Sequence, residues 1–172
     1  MPLEPSLSRE LKAVAAARGA SFTTLLLAAF EAYLQRITGQ RSFSLILPGS
    51  GQVITGAKAL VGHCVRTLPL YAEVDPKQPF STHLERVKKS VLDALEHPRM
   101  TFGELVKALP IPRDPSRIPL AGVAFNVDSN SAPAPFLGLE TKIESLPRAS
   151  ESFELFVSFS VLGDDVTVET CF

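Results

Sequence analysis

The stretch "SFTTLLLAAFEAYLQRITGQRSFSLILP", from Ser21 to Pro48, decides the fold that the sequence predicts. Ser21 is a good helix N-cap, because its hydroxyl can accept a hydrogen bond from a free backbone N–H of the first turn. Gly39 is suited to end that helix, because glycine tolerates the left-handed C-terminal conformation. The helix between them is apolar on most sides in its first half, so we expect it to be buried. "SFSLILP" (Ser42 to Pro48) then predicts a buried strand that proline ends.

Three further helices are predicted around this stretch. A short one covers Ser8 to Arg18 and stops at Gly19. Another begins at "TFGE", which has the spacing of a capping box, and runs from Thr101 through Leu109. The clearest covers Ser81 to Leu95, because its apolar residues form one stripe at helical spacing. The members of that stripe are Leu84, Val87, Val91, Leu92 and Leu95.

Alternating and apolar segments predict the remaining strands. Cys64 to Val74 is one strand, in which Pro69 indicates an edge position or a bulge. Pro119 to Ser129 and Leu139 to Leu146 are two more. A hairpin turning at "GDD" is predicted over Ser152 to Phe172. The order of helix, helix, strand, strand, helix, helix and then four strands favours a mixed α/β layered fold in a single domain.

The composition excludes several classes of protein. Of 172 residues, 45% are apolar, and 17 basic residues stand against 18 acidic ones. This balance offers no electrostatic footprint for nucleic acid or for an anionic membrane. The start lacks the apolar core of a secretory signal, and the run from Leu25 to Phe30 is far short of the roughly 20 residues that span a bilayer. We therefore expect a soluble, cytoplasmic chain with no nucleic-acid or membrane partner, whose Cys64 and Cys171 are reduced thiols.

The glycine-rich stretch "GSGQVITGAKALVGHC", Gly49 to Cys64, suggests a phosphate loop, a metal site or a nucleophile, and none fits well. In a phosphate loop, lysine and then a hydroxyl residue directly follow the last glycine; here Lys58 comes one position late and is followed by Ala59. His63 and Cys64 are adjacent, so their side chains would diverge on a strand. A turn between two strands is the favoured interpretation, and we expect no bound metal.

Four segments, read in order, resemble motifs of the condensation domains of nonribosomal peptide synthetases. Ala20 to Pro48 resembles the helix and strand that open the second half of those domains. "LVGHCVRTLPL" (Leu60 to Leu70) is similar to V-G-x-F-V-N-T-L-P-L-R, and Glu96 to Val106 matches the place of H-Q-D-x-P-F-x-x-L. "PRDPSRIPLAGVAFNVD" (Pro112 to Asp128) is similar to R-D-x-S-R-x-P-L-F-x-V-x-F. The histidine and cysteine after V-G resemble the subtype that follows polyketide modules.

The resemblance implies an α/β fold like that of chloramphenicol acetyltransferase, a mixed-sheet layered sandwich forming a single lobe. Residues 1–172 would be the C-terminal lobe of a condensation domain, cut before its last segment. Such domains form an amide bond between two substrates held as thioesters on the phosphopantetheine arms of carrier proteins. Their signature His-His-x-x-x-Asp-Gly belongs to the N-terminal lobe, and this chain has no His-His pair. We therefore expect no catalytic residue and no tightly bound cofactor in this chain.

The implied partners are the N-terminal lobe of the same domain, a donor and an acceptor carrier protein, and a neighbouring adenylation domain. Two alternatives remain open for the function. One is a condensation-like lobe that only docks partners, and the other is a relative of coenzyme A-dependent acyltransferases. The resemblance is imperfect, because Arg66 replaces asparagine, Gln52 stands where many members have arginine, and Pro98 to Thr101 depart from the family pattern.

The resemblance also suggests residues that line the substrate channel. Arg66 and Thr67 are candidates, with ordinary core strand residues as the alternative. Ser21, Thr23 and Thr24 could hydrogen-bond a pantetheine amide or phosphate, with plain helix N-capping as the alternative.

A second group of residues is expected to have a structural role. Gly62 would provide a backbone position free of Cβ constraint near the surface between the lobes. Arg113, Asp114, Ser116 and Arg117 form a proline-bounded turn. That turn is either solvated, with weak surface ion pairs, or held by a buried Arg–Asp network that would be costly to break.

A lobe without its partner should expose a large apolar patch, so we predict that the chain self-associates, forming a homodimer. Analytical ultracentrifugation over a range of concentrations measures this. Concentration-dependent association is expected, and ideal monomer behaviour at high concentration would contradict it.

Overall fold

A computed structural model of the chain describes residues 1–50, 62–97, 100–112, 114–129, 138–140, 146 and 150–172. The helices are α1 (Pro5–Ala17), α2 (Phe22–Thr38), α3 (Phe80–Glu96) and α4 (Phe102–Ala108). The strands are β1 (Ser42–Ser50), β2 (Val65–Glu73), β3 (Val123–Ser129), β4 (Leu155–Leu162) and β5 (Asp165–Cys171). The predicted order is confirmed over these ranges. The predicted strand Leu139 to Leu146 falls mostly on residues 141–145, which lie outside the described residues.

The strands form one mixed sheet in the order β2-β1-β3-β4-β5. β1, β3 and β4 run parallel to one another, whereas β2 and β5 run antiparallel to their neighbours. β2 is therefore an edge strand, as its Pro69 predicts. The outer edge of β5 is covered by the first residues of the chain, since Leu3 N donates to Val166 O at 2.8 Å and Val168 N donates to Met1 O at 2.8 Å.

The ends of the helices follow from local sequence. The hydroxyl of Ser21 accepts from Thr24 N at 3.0 Å, and Gly39 ends α2 with φ of 72°. Gly19 takes φ of 57° after α1, as predicted for a helix stop. α1 begins at Pro5, three residues earlier than expected, because proline is well suited to the first helical position. The capping box of Thr101 and Glu104 is confirmed at the start of α4.

Alternating strand residues divide the core between the two faces of the sheet. On the helix face, α1, α2 and α3 pack against residues such as Leu45, Leu68, Phe125 and Val157. The opposite face carries a smaller apolar cluster of Ile46, Ala121, Ala124 and Phe156. The same alternation places Asn126 and Ser158 on this second face, which we call the open face.

The apolar stripe of α3 is predicted correctly only in its first part. Leu84 and Val87 are buried, and Val91 packs against the core. Leu92 and Leu95 are 59% and 51% exposed, so the expectation that they join the stripe is wrong. The core beneath α3 ends at Val91 and Ala94, before the helix itself ends.

One buried polar pair joins α2 to α3 on the helix face. His83 Nε2 lies 3.2 Å from Glu31 Oε2, and both side chains are more than nine-tenths buried. The contact does not have the geometry of a hydrogen bond, and neither ring nitrogen of His83 has a hydrogen-bond partner among the residues that the structure describes. Each of the two polar groups depends on the other, since a buried polar group without a polar neighbour is costly.

The substitution Glu31→Gln should destabilise the chain by about 1–3 kcal/mol, because it replaces the buried carboxyl group that faces His83 by an amide and disturbs a desolvated polar pair. Glu85→Gln is the matched control, since Glu85 pairs with Lys88 at the surface and should lose only about 0–1 kcal/mol. Urea unfolding of the three proteins measures both changes. Equal costs for the two substitutions would contradict this account of the pair.

Candidate functional site

The carboxyl ends of the three parallel strands meet at one edge of the sheet. Ligands of open α/β sheets bind at this kind of edge, since the connecting segments converge there. A cleft of about 370 Å³ lies at this edge, between the end of β1, the start of β2 and the end of β3. It is lined by Pro48, Gly49, Gly62, Cys64, Val65, Asn126, Val127 and Asp128.

The cleft exists because β1 and β3 separate near their ends. Ile46 and Ala124 are the backbone pair that joins these two strands. Two residues further along β1 stands Pro48, which has no N–H and cannot donate to a neighbouring strand. β1 stays paired with β2 through Ser50, so only its β3 side opens.

A polar network lies along the β3 wall of this cleft. Asn126 and Ser158 are direct cross-strand partners in the β3–β4 register. Asn126 Nδ2 donates to Ser158 Oγ at 3.1 Å and to Asp128 Oδ2 at 2.7 Å. The network therefore holds the amide of Asn126 in one orientation at the cleft.

Sequence reasoning did not identify Asn126, Asp128 or Ser158. Polar residues at alternate positions of "FNVDS" and "FVSFSV" were the available signal, because alternation places them on one face.

The two candidate channel residues of β2 lie beside the cleft. Thr67 is in register with Pro48, and Arg66 with Gly49. The Arg66 guanidinium reaches the carbonyl oxygen of His97 at 3.5 Å. Both residues also line a smaller pocket of about 130 Å³ between β2, the end of α3 and α4. The structure thus places Arg66 and Thr67 where the sheet edge opens.

The three hydroxyl residues at the start of α2 lie elsewhere, on the helix layer behind the sheet. Ser21 caps α2, and its Oγ is 2.7 Å from Thr24 Oγ1. Thr24 is buried and Thr23 half-buried. The structure does not bring Ser21, Thr23 and Thr24 together with the cleft, and the hydroxyls of Ser21 and Thr24 satisfy each other.

A side chain at position 49 would be crowded, whereas none of the described residues crowds position 62. A Cβ at Gly49 would lie 2.8 Å from Leu68 Cδ1, so the buried Leu68 side chain would have to shift. A Cβ at Gly62 would meet no described atom within 4 Å, and the backbone there is not left-handed. The described residues therefore give no steric reason for glycine at position 62.

The proline-bounded turn before β3 is exposed to solvent. Its described residues do not form the buried Arg–Asp network that was the alternative expectation. Asp114 accepts from Ser116 N and Oγ at 2.9 and 2.7 Å, in an Asx-type turn. Arg117 pairs instead with Glu154, 37 residues away, through Nε at 2.6 Å, and both side chains are more than half exposed. Arg113 lies outside the described residues. Glu154 was missed by sequence reasoning, because nothing local indicates so distant a partner.

The Glu154 side chain lies directly over Gly122. A Cβ at Gly122 would lie 2.7 Å from the Glu154 carboxyl carbon, so a larger residue there would displace this exposed side chain from its present position. The backbone pairs here as well, since Glu154 N donates to Gly122 O at 2.8 Å.

Two carboxyl groups outside the cleft have a pKa below its ordinary value. Hydrogen bonds from the Ser116 side chain and backbone lower the pKa of Asp114. Hydrogen bonds from the Thr101 backbone and side chain lower the pKa of Glu104 in the capping box. In both cases the donors stabilise the ionised form.

The described residues contain no cluster of three or more histidine, cysteine or acidic side chains placed to hold a metal ion. Cys64 and Cys171 are free, half-buried thiols. No single described helix is long and apolar enough to cross a membrane; α1 and α2 pass that test only together, as a pair bent by 102°.

Comparison with known proteins gives a consistent result. The family model described as "Condensation domain" matches residues 1–172. Surfactin synthase subunit 1 of Bacillus subtilis (strain 168) is 28% identical over 168 residues, covering 97% of this chain and 5% of that protein. Bacitracin synthase 1 of Bacillus licheniformis is 30% identical over 169 residues, covering 97% of this chain and 3% of that protein. The chain thus spans a small part of the curated relatives it matches.

Solved structures share the fold. The condensation domain from Monacolin K polyketide synthase MokA matches with a TM-score of 0.82 and 20% identity, over 99% of this chain and 40% of that one. The first condensation domain of the CDA synthetase matches with a TM-score of 0.79 and 24% identity, over 99% of this chain and 38% of that one. The expected α/β fold, with one mixed sheet like that of chloramphenicol acetyltransferase, is confirmed.

In the variant Asp114→Asn, the free energy of unfolding should fall less on acidification than it does in the wild type. A lowered folded-state pKa stabilises the chain above the unfolded pKa of about 3.9, and that stabilisation is lost as the pH falls through the folded value. Asparagine can still accept from Ser116 but does not titrate. The free-energy difference between wild type and variant, from urea unfolding, should therefore shrink between about pH 6 and about pH 3. A difference that stays constant over this range would contradict the prediction.

Proposed function

Because the chain belongs to the condensation-domain family, we propose that it forms the C-terminal lobe of a domain that joins two carrier-bound thioesters through an amide bond. One observation carries the proposal. The family match spans residues 1–172, yet 99% of this chain covers only 40% of a solved condensation domain. That proportion supports one lobe of a two-lobed domain.

In the proposed reaction, an amine on the acceptor attacks the carbonyl carbon of the donor thioester. The N–C bond forms, the C–S bond breaks, and the proton lost by nitrogen ends on the released thiol. Holding the two reactants together can contribute several kcal/mol, on the order of 7–11 in well-oriented cases. This chain would supply a wall that orients them, and the His-His-x-x-x-Asp-Gly motif of the N-terminal lobe would handle the proton.

Arg66 and Thr67 are proposed to border the substrate channel. Gly49 and Pro48, the residues that pair with them on β1, line the cleft. The side chains at these positions therefore affect how much space the sheet edge offers to a substrate. Arginine in place of the family's asparagine puts a cation on the strand beside this edge.

The proposed substrates carry phosphopantetheine arms, and the proposed partners are the N-terminal lobe, the two carrier proteins and an adenylation domain, in the cytoplasm. The open face supports the N-terminal lobe as a partner, since it combines polar side chains with exposed apolar ones such as Tyr71. Surfaces of that mixed kind are typical of interfaces between domains. The same exposure supports self-association of the isolated lobe as a homodimer.

A second candidate function is docking without catalysis. A solved complex of the X-domain and OxyB from teicoplanin biosynthesis matches this chain with a TM-score of 0.78. The X-domain in that complex therefore shares this fold and is seen with a protein partner. A lobe of this chain's kind could accordingly serve as a docking surface.

An assay with loaded donor and acceptor carrier proteins separates these functions. We expect no condensed product from the 172-residue chain alone, because the proposed proton-transferring histidines are elsewhere. We expect carrier-bound amide product from the same gene's polypeptide extended upstream by one lobe, and loss of product when both histidines of its motif become alanine.

Mass spectrometry of the acceptor carrier reads out the result. Product from the chain alone would overturn the assignment of catalysis to the other lobe. An extended protein that binds carriers but makes no product would favour the docking function.

A further inference from the structure

Asn126 carries a side-chain oxygen to which no group in the described part of the chain donates. Both recorded hydrogen bonds of its amide are made by Nδ2, to Asp128 Oδ2 and to Ser158 Oγ. An ionised carboxylate only accepts, so Asp128 fixes which end of the amide faces it. The remaining acceptor, Oδ1, is therefore held in place, and none of the residues that the structure describes donates to it.

The bonded end of this amide is turned away from β1. β3 lies between β4 and β1, and the Nδ2 group uses one bond to Ser158 on the β4 side. Its other bond, to Asp128, points along β3 toward the strand end. Asn126 itself lines the cleft beside β1, so Oδ1 is the end of the amide that is left for a ligand there.

Pro48, on the β1 wall of the cleft, offers this oxygen no donor. It has no backbone N–H, and the neighbouring Gly49 has no side chain. The cleft is thus a recess of about 370 Å³ with an oriented acceptor on one wall.

We propose that this cleft binds an N–H group of the substrate, which donates to Asn126 Oδ1, and that Asp128 and Ser158 position the amide for it. The ligand class is a neutral or cationic N–H donor, since the carboxylate of Asp128 disfavours anions. Pantetheine arms offer secondary amide N–H groups, and acceptor substrates offer an amine. Naming pantetheine or the acceptor amine as the ligand rests on the proposed function. The orientation of the Asn126 amide does not depend on that function.

Titration of the ¹⁵N-labelled 172-residue chain with small probes tests the proposal. N-acetylcysteamine offers a secondary amide N–H without an amine, and glycine methyl ester offers an amine without an amide. N,N-dimethylacetamide is the control compound, because it is an amide with no N–H. We expect the backbone signals of Asn126 and its cleft neighbours to shift with at least one N–H probe and not with the control.

The variant Asn126→Leu should weaken binding of that probe by about 2- to 12-fold, the range that follows from the net free energy of one hydrogen bond. Gln40→Leu is the matched control, since it exchanges an exposed amide for leucine outside the cleft and should leave the Kd unchanged. Thermal unfolding of each variant checks that it is folded.

The positioning role has its own test in Asp128→Asn. Asparagine at 128 can donate or accept, so it no longer fixes the orientation of the neighbouring amide. We expect weaker binding although Asn126 is intact, with the side-chain amide signals of Asn126 moved in the free protein. A role for Asp128 in stability alone would change the melting temperature and leave the Kd unaltered.

The outcomes separate this proposal from the proposed function. Shifts with amide and amine probes identify which source the cleft takes. Equal affinity of wild type and Asn126→Leu, equal response to N,N-dimethylacetamide, or no response to either N–H probe overturns the proposal and leaves the function untouched. If the two-lobe protein makes no amide product while the chain still binds a probe through Asn126, the proposed function is overturned and this proposal stands.

Discussion

The separation of β1 from β3 is the constraint on which the open edge of this chain depends. β1 is held on its other side by a continuous antiparallel register with β2 from Ser42 to Ser50. β3 is held in the same way by its parallel register with β4 from Val123 to Ser129. Each strand is thus fixed by its outer neighbour, and Pro48 removes a donor that could close the gap between them.

The two faces of the sheet have different chemistry because strand side chains alternate. The helix face is a close-packed apolar core that contains a buried polar pair, Glu31 and His83, at the junction of α2 and α3. The open face is less apolar and carries Asn126 and Ser158 near the cleft. The apolar core that stabilises the chain and the polar side chains at the cleft thus lie on opposite sides of the same strands, and the proposed second lobe would meet the open face.

Local sequence signals predicted the elements well, because caps, breakers and periodicity act over a few residues. Ser21, Gly39 and the Thr101 capping box mark helix ends at the observed positions. The polar contacts depend on strands far apart in the chain, and no local pattern contains them. Asn126 meets Ser158 across 32 residues, and Arg117 meets Glu154 across 37.

The sequence of the gene on both sides of this chain tests most directly the claim that it is one wall of a two-lobed site. The account predicts a His-His-x-x-x-Asp-Gly motif encoded upstream of Met1, about one lobe away, with carrier domains nearby. An upstream region with no coding sequence in frame would contradict it, and the proposed catalytic function would fall with that result.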